Sequence, residues 1–106
     1  MFTVVETPTF ARLAAAYWGD EDRTTFVNYI ANSPDAGEVV PGSGGLRKLR
    51  WSRPGQGKRG GVRVIYYNRL ANGEIWLLLI YGKSVQDNIA PHVLRQIKEE
   101  IENGQS

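Results

Sequence analysis

The sequence predicts an α+β fold, a single domain over residues 1–106 in which helices pack on an antiparallel sheet in the order β-α-α-β-β-β-α. Three observations predict it. Apolar residues recur at helical spacing in two stretches near the start and one near the end. Between them lie β-branched and aromatic segments separated by short glycine-containing turns, the pattern of a meander. A chain of 106 residues also buries one hydrophobic core but not two.

Residues 2–5 are apolar and β-branched, suited to a strand, and Thr7-Pro8 follows as a cap and first-turn pair for a helix. Phe10, Leu13, Ala14 and Tyr17 mark one face of that helix, which Gly19 is expected to end. Asp20 caps a second helix, with Phe26, Tyr29 and Ile30 on its inner face and Asn32-Ser33-Pro34 at its end. After the turn Pro41-Gly42-Ser43-Gly44-Gly45, a strand over 46–51 places Leu49 and Trp51 opposite Lys48 and Arg50. A second strand over 62–67 carries Arg63, Ile65 and Tyr67 on one face, and Ala71-Asn72-Gly73 signals a hairpin. The run over 75–81 is apolar on both faces, as in a central strand covered on each side. Val93, Leu94, Ile97 and Ile101 then form the stripe of a closing amphipathic helix.

Composition excludes several chemistries. With no cysteine there is no disulfide, thiol nucleophile or cysteine-bound metal, and with one histidine a metal site would have to be mostly carboxylate. No metal or other cofactor is expected. No apolar run reaches the roughly 20 residues of a membrane span, and Met1-Phe2-Thr3-Val4-Val5-Glu6 lacks the basic flank and apolar stretch of a signal peptide. A cytoplasmic protein is expected.

Net charge is only +2, but it is unevenly spread. Residues 39–73 contain no Asp or Glu and carry Arg47, Lys48, Arg50, Arg53, Lys58, Arg59, Arg63 and Arg69, eight of the thirteen basic side chains. Such a segment attracts a polyanion, of which nucleic acid is the commonest in a cell. The loop Gly55-Gln56-Gly57-Lys58-Arg59-Gly60-Gly61 lacks the spacing of a nucleotide-binding loop and leads into a strand instead of a helix. It suits a nucleic-acid backbone better: glycine admits close approach of main-chain amides to phosphates, and Lys58 and Arg59 neutralise them.

The alternation of the strands directs Lys48, Arg50 and Arg63 to one side, with Lys83 emerging after the 75–81 strand. Four cations can converge there on a scissile phosphate. Arginine's planar fork matches the charge that builds on the phosphorane oxygens, so Arg63 is the candidate stabiliser. A lysine accepts a proton only as the free amine, a form that neighbouring cations favour, and Lys48 is the candidate base. His92, beside Pro91 at the start of the last helix, reads first as a surface or capping residue. A static phosphate-binding face without catalysis is the competing interpretation of the same residues.

Three segments carry a resemblance: Gly44-Gly45-Leu46-Arg47-Lys48-Leu49-Arg50, then Gly57-Lys58-Arg59-Gly60-Gly61-Val62-Arg63-Val64-Ile65-Tyr66-Tyr67, then Leu78-Leu79-Ile80-Tyr81-Gly82-Lys83. In this order they resemble the HigB-like branch of the RelE/HigB toxins, and the predicted element order resembles that family along nearly the whole chain. The resemblance implies a RelE-like fold and the toxin role of a type II toxin–antitoxin pair: a metal-independent endoribonuclease that cuts mRNA in the ribosomal A site and so inhibits translation. It also implies a cognate helix-turn-helix, HigA-like antitoxin. The family's basic positions fall on Lys48, Arg50, Arg63 and Lys83 as the catalytic set, with Arg47, Lys58, Arg59, Tyr67 and Tyr81 as RNA-binding candidates. The chain departs from better-studied relatives at Ser84, where they carry a further arginine, and around Asn88, where they carry a catalytic tyrosine. Tyr67, Tyr81 and His92 are the candidates for general acid in its place.

Two rival functions share these features. ParE-like relatives resemble the same fold but act on DNA gyrase and lack the cationic set, and an RNA-binding module would use the basic face with no chemistry.

Overall fold

A computed structural model describes residues 2–52, 61–82 and 90–104. Strand β1 (Thr3–Glu6) leads into helices α1 (Pro8–Ala14) and α2 (Asp20–Asn32). Strands β2 (Glu38–Val39), β3 (Arg47–Trp51), β4 (Val62–Arg69) and β5 (Glu74–Gly82) follow, and helix α3 (Pro91–Gly104) closes the chain. The five strands form one sheet in the order β1-β5-β4-β3-β2, so the α+β class and the element sequence agree with expectation.

Two features of the sheet differ from it. The meander is antiparallel, but β1 pairs parallel to β5, so the sheet is mixed. No tight turn constrains β1: the helical pair carries the chain from one sheet edge to the other, and three reversals bring β5 back in the direction of β1. The junction is fixed at both ends, where the Thr3 amide donates to the Gly73 carbonyl at 2.8 Å and the Thr7 hydroxyl donates to the Leu77 carbonyl at 2.9 Å. The second difference is β2, a two-residue edge strand that adds a member to the predicted set.

Helix α1 begins as predicted, with Pro8 in its first turn and the Thr7 hydroxyl accepting from the Phe10 amide at 3.2 Å. It ends earlier than predicted, at Ala14, and Gly19 serves as the N-terminal boundary of α2. Phe10, Phe26 and Ile30 from these helices meet Val62, Val64, Tyr66, Ile75, Leu77 and Ile80 on one face of the sheet. Aromatic rings continue this core outward, with Phe26 5.1 Å from Trp18 and 5.2 Å from Trp51 between centroids.

The other face carries a second core of Leu46, Ile65, Leu78, Tyr81 and Leu94, with Ile97 and Ile101 packed against it. Burial on both faces explains why β5 is apolar from Ile75 to Tyr81. Leu78 has no cross-strand partner in β4, because the register shifts between Ile65 and Tyr66. This bulge sends both Leu78 and Leu79 towards α3. In α3, Leu94 is buried and Ile97 and Ile101 are half-buried as the stripe predicts, whereas Val93 is exposed. No described helix is long and apolar enough to cross a membrane.

Candidate functional site

The site is built on the α3 face of β3, β4 and β5. Arg50 lies directly opposite Arg63, and Arg63 directly opposite Tyr81. Lys48, two residues before Arg50, therefore shares their face. The register thus sets two like charges directly opposite each other on this face. The two arginines differ in setting: Arg50 is exposed, whereas Arg63 is only 5% exposed. A buried guanidinium has less conformational freedom than a solvated surface charge.

One more strand completes the group. The turn between β2 and β3 is closed by Ser43, whose buried hydroxyl donates to the Val40 carbonyl at 2.6 Å and accepts from the Leu46 amide at 3.0 Å. Gly42, Gly44 and Gly45 all take positive φ there, which explains the glycine-rich sequence. Ahead of β2, the Gly37 amide donates to the Tyr66 hydroxyl at 2.8 Å, and that hydroxyl donates to the Pro34 carbonyl at 2.7 Å. A Cβ on Gly37 would stand 2.9 Å from both the Lys48 carbonyl oxygen and the Tyr66 ring. These contacts set the register in which Glu38 pairs directly with Lys48.

The result is a cleft of about 380 Å³ in which Glu38, Lys48 and Tyr81 supply the polar groups. Val39, Val40, Pro41, Ile65, Pro91 and Leu94 form its apolar wall. The α3 side of that wall is anchored where the Arg95 guanidinium donates to the Gly42 carbonyl at 2.8 Å and 3.1 Å.

Of the residues expected to act together, the fold gathers Lys48, Arg50, Arg63 and Tyr81 on one face. It directs Arg47 to the opposite face, where its guanidinium donates to the Gly37 carbonyl at 2.7 Å and lies 3.6 Å from the Asp35 carboxylate. Arg47 thus braces the segment leading to β2. Tyr67 shares the face of Arg63 but stands four residues along β4, roughly 13 Å at the usual strand rise. His92 is exposed in the first turn of α3. Lys58, Arg59, Lys83, Ser84 and Asn88 lie outside the described residues. Glu38 was not among the expected site residues.

Tyr67 instead joins the sheet to α3. Its hydroxyl donates to Glu102 at 2.6 Å, and the Lys98 ammonium lies 5.2 Å from its ring centroid. Burial, followed by the bond to Glu102, pushes the Tyr67 phenol above its ordinary value, and the same bond draws the Glu102 carboxyl below its own. The Glu102 shift supports folding above the ordinary carboxylate range and is lost as pH falls through its lowered value. The Tyr67 shift has the opposite sense: the folded state favours the protonated phenol, so its contribution holds below about pH 10 and fades above it. Burial also raises Tyr66. In an alkaline titration followed by ultraviolet absorbance, Glu102→Gln is expected to lower the Tyr67 midpoint and leave that of Tyr66 in place. An unchanged Tyr67 midpoint would mean that this bond does not hold α3 in solution.

No protein-family model matches the sequence. The structure is similar to that of a mutant of the E. coli toxin RelE in the free state, with a TM-score of 0.54 over 99% of this chain and 98% of that chain. Sequence identity is 11%, so the likeness is one of fold: the chain has a RelE-like α+β fold.

Proposed function

We propose that this chain is the toxin of a type II toxin–antitoxin pair and acts in the cytoplasm as an endoribonuclease on ribosome-bound mRNA. The observation that carries this reading is the Arg50–Arg63 cross-strand pair with Lys48 and Tyr81 on the same face. In the proposed reaction a ribose 2′-hydroxyl attacks the adjacent phosphorus and the 5′ oxygen leaves, giving a cyclic phosphate and a free 5′-hydroxyl. Negative charge builds on the non-bridging oxygens, where the forks of Arg63 and Arg50 can donate two bonds each. Lys48 adds positive charge to that phosphate, and Lys83, which follows Gly82 in the sequence, is proposed as the fourth cation of the set. Tyr81 lines the cleft and faces Arg63 across the strands, which makes it the proton donor to the leaving oxygen in preference to Tyr67 or His92. The chemistry requires no metal or cofactor, because protein cations carry the charge.

The basic loop residues Lys58 and Arg59 are proposed to grip RNA, and a helix-turn-helix, HigA-like antitoxin to neutralise the protein. The testing experiment incubates purified protein with ribosomes carrying a defined mRNA. Cleavage within a ribosome-bound codon, ending in a cyclic phosphate, is the expected result. Intact mRNA on such ribosomes would redirect the reading to a gyrase-directed toxin or a purely binding module.

A further inference from the structure

We propose that Glu38 is the general base of this site, the group that removes the proton from the attacking 2′-hydroxyl, with Lys48 beside it as a charge partner. The inference rests on the nuclease reading above and changes its proton inventory. A lysine ammonium has no lone pair to offer until it has lost a proton, whereas a carboxylate at neutral pH accepts one directly. The fold places such a carboxylate in the cleft beside Lys48. Directly opposed residues of an antiparallel pair have Cβ atoms about 4.5–5.5 Å apart, and Glu38 and Lys48 are such a pair. Both line the cleft that holds Tyr81.

The position is also constructed. Gly37 has no room for a side chain, its amide and carbonyl are fixed by Tyr66 and Arg47, and the Ser43 turn returns the chain into β3. Four constraints therefore flank the two residues of β2, at Gly37 and in the Ser43 turn, while Glu38 itself is exposed and contributes nothing to the core. Among the described residues, the ionisable groups facing Glu38 across the cleft are Lys48 from β3 and Tyr81 from β5, and α3 contributes Pro91 and Leu94 to the lining.

The 2′-hydroxyl proton passes to a Glu38 carboxylate oxygen as the 2′ oxygen bonds to phosphorus. The bond from phosphorus to the 5′ oxygen breaks, and that oxygen takes the phenolic proton of Tyr81. Exchange with water then returns Glu38 to the carboxylate and Tyr81 to the phenol.

The test compares wild type, Glu38→Gln, Glu38→Asp and Arg63→Ala in single-turnover cleavage of ribosome-bound mRNA across a range of pH, with ribosome binding measured separately. Glu38→Gln is expected to slow cleavage by about 10²–10⁴-fold, to leave ribosome binding unchanged and to abolish the acid limb of the rate profile. Glu38→Asp should recover part of the rate together with that limb. Because Glu38 is exposed, thermal melts of the variants should match the wild type. If Arg63→Ala is inactive while Glu38→Gln cuts at the wild-type rate, the base assignment is overturned and the nuclease reading stands. A slowed Glu38→Gln that keeps the acid limb would also overturn it, since the residue would then only position Lys48. If wild type leaves the mRNA intact, the nuclease reading and this inference fail together.

Discussion

Arg63→Ala is expected to lower the rate of mRNA cleavage by about 10²–10³-fold, the usual cost of removing one preorganised donor from a developing oxyanion. Arg63 lies in the middle strand of the site, opposite Arg50 on one side and Tyr81 on the other, and is nearly buried. On the proposed reading, burial between two strands restricts its fork before substrate arrives, which lowers the reorganisation needed in the transition state. Arg63→Lys should fall between wild type and Ala, because it keeps the charge but loses the planar two-bond geometry. Truncating a buried arginine can also cost stability, so each variant is first compared with wild type by circular dichroism melting. Reduced cleavage in a variant that melts normally assigns the loss to chemistry, and wild-type cleavage by such a variant would remove Arg63 from the site.

Phe26→Ala is expected to destabilise the fold by about 3–5 kcal/mol, the range for truncating a buried aromatic ring. Phe26 is fully buried and stands between Trp18 and Trp51, so its removal leaves a cavity lined by two rings that the helices and β3 hold apart. For a domain near this size the midpoint of thermal unfolding should fall by more than about 12 °C. This core lies on the sheet face away from the site, so any Phe26→Ala protein that remains folded at low temperature should still bind ribosomes. A small shift in the midpoint would mean that the aromatic cluster is not closed in solution.

Much of the site could be read from strand alternation. Leu49 and Trp51 pack on one side of β3 while Lys48 and Arg50 face the other, and Arg63 and Ile65 repeat the pattern on β4. A period of two is legible wherever a strand has one apolar and one polar face. It fails for β2, because two residues define no period. Composition pointed away from Glu38 as well: the acid-free segment begins at residue 39, and pairing folds its immediate acidic neighbour back onto Lys48. Arg47 belongs to the same basic run, yet one step along the strand reverses its face, and its charge secures residues 35–37 instead of the site. The parallel β1–β5 pairing and the Leu78 bulge were not legible, since both depend on contacts between residues far apart in the chain.

The nuclease activity is tested most directly by brief expression of wild type and a stably folded Arg63→Ala in bacterial cells, with new mRNA 5′ ends mapped against ribosome positions. Cuts inside translated codons are expected with wild type and should disappear with the variant. Growth arrest by wild type without such cuts would contradict it.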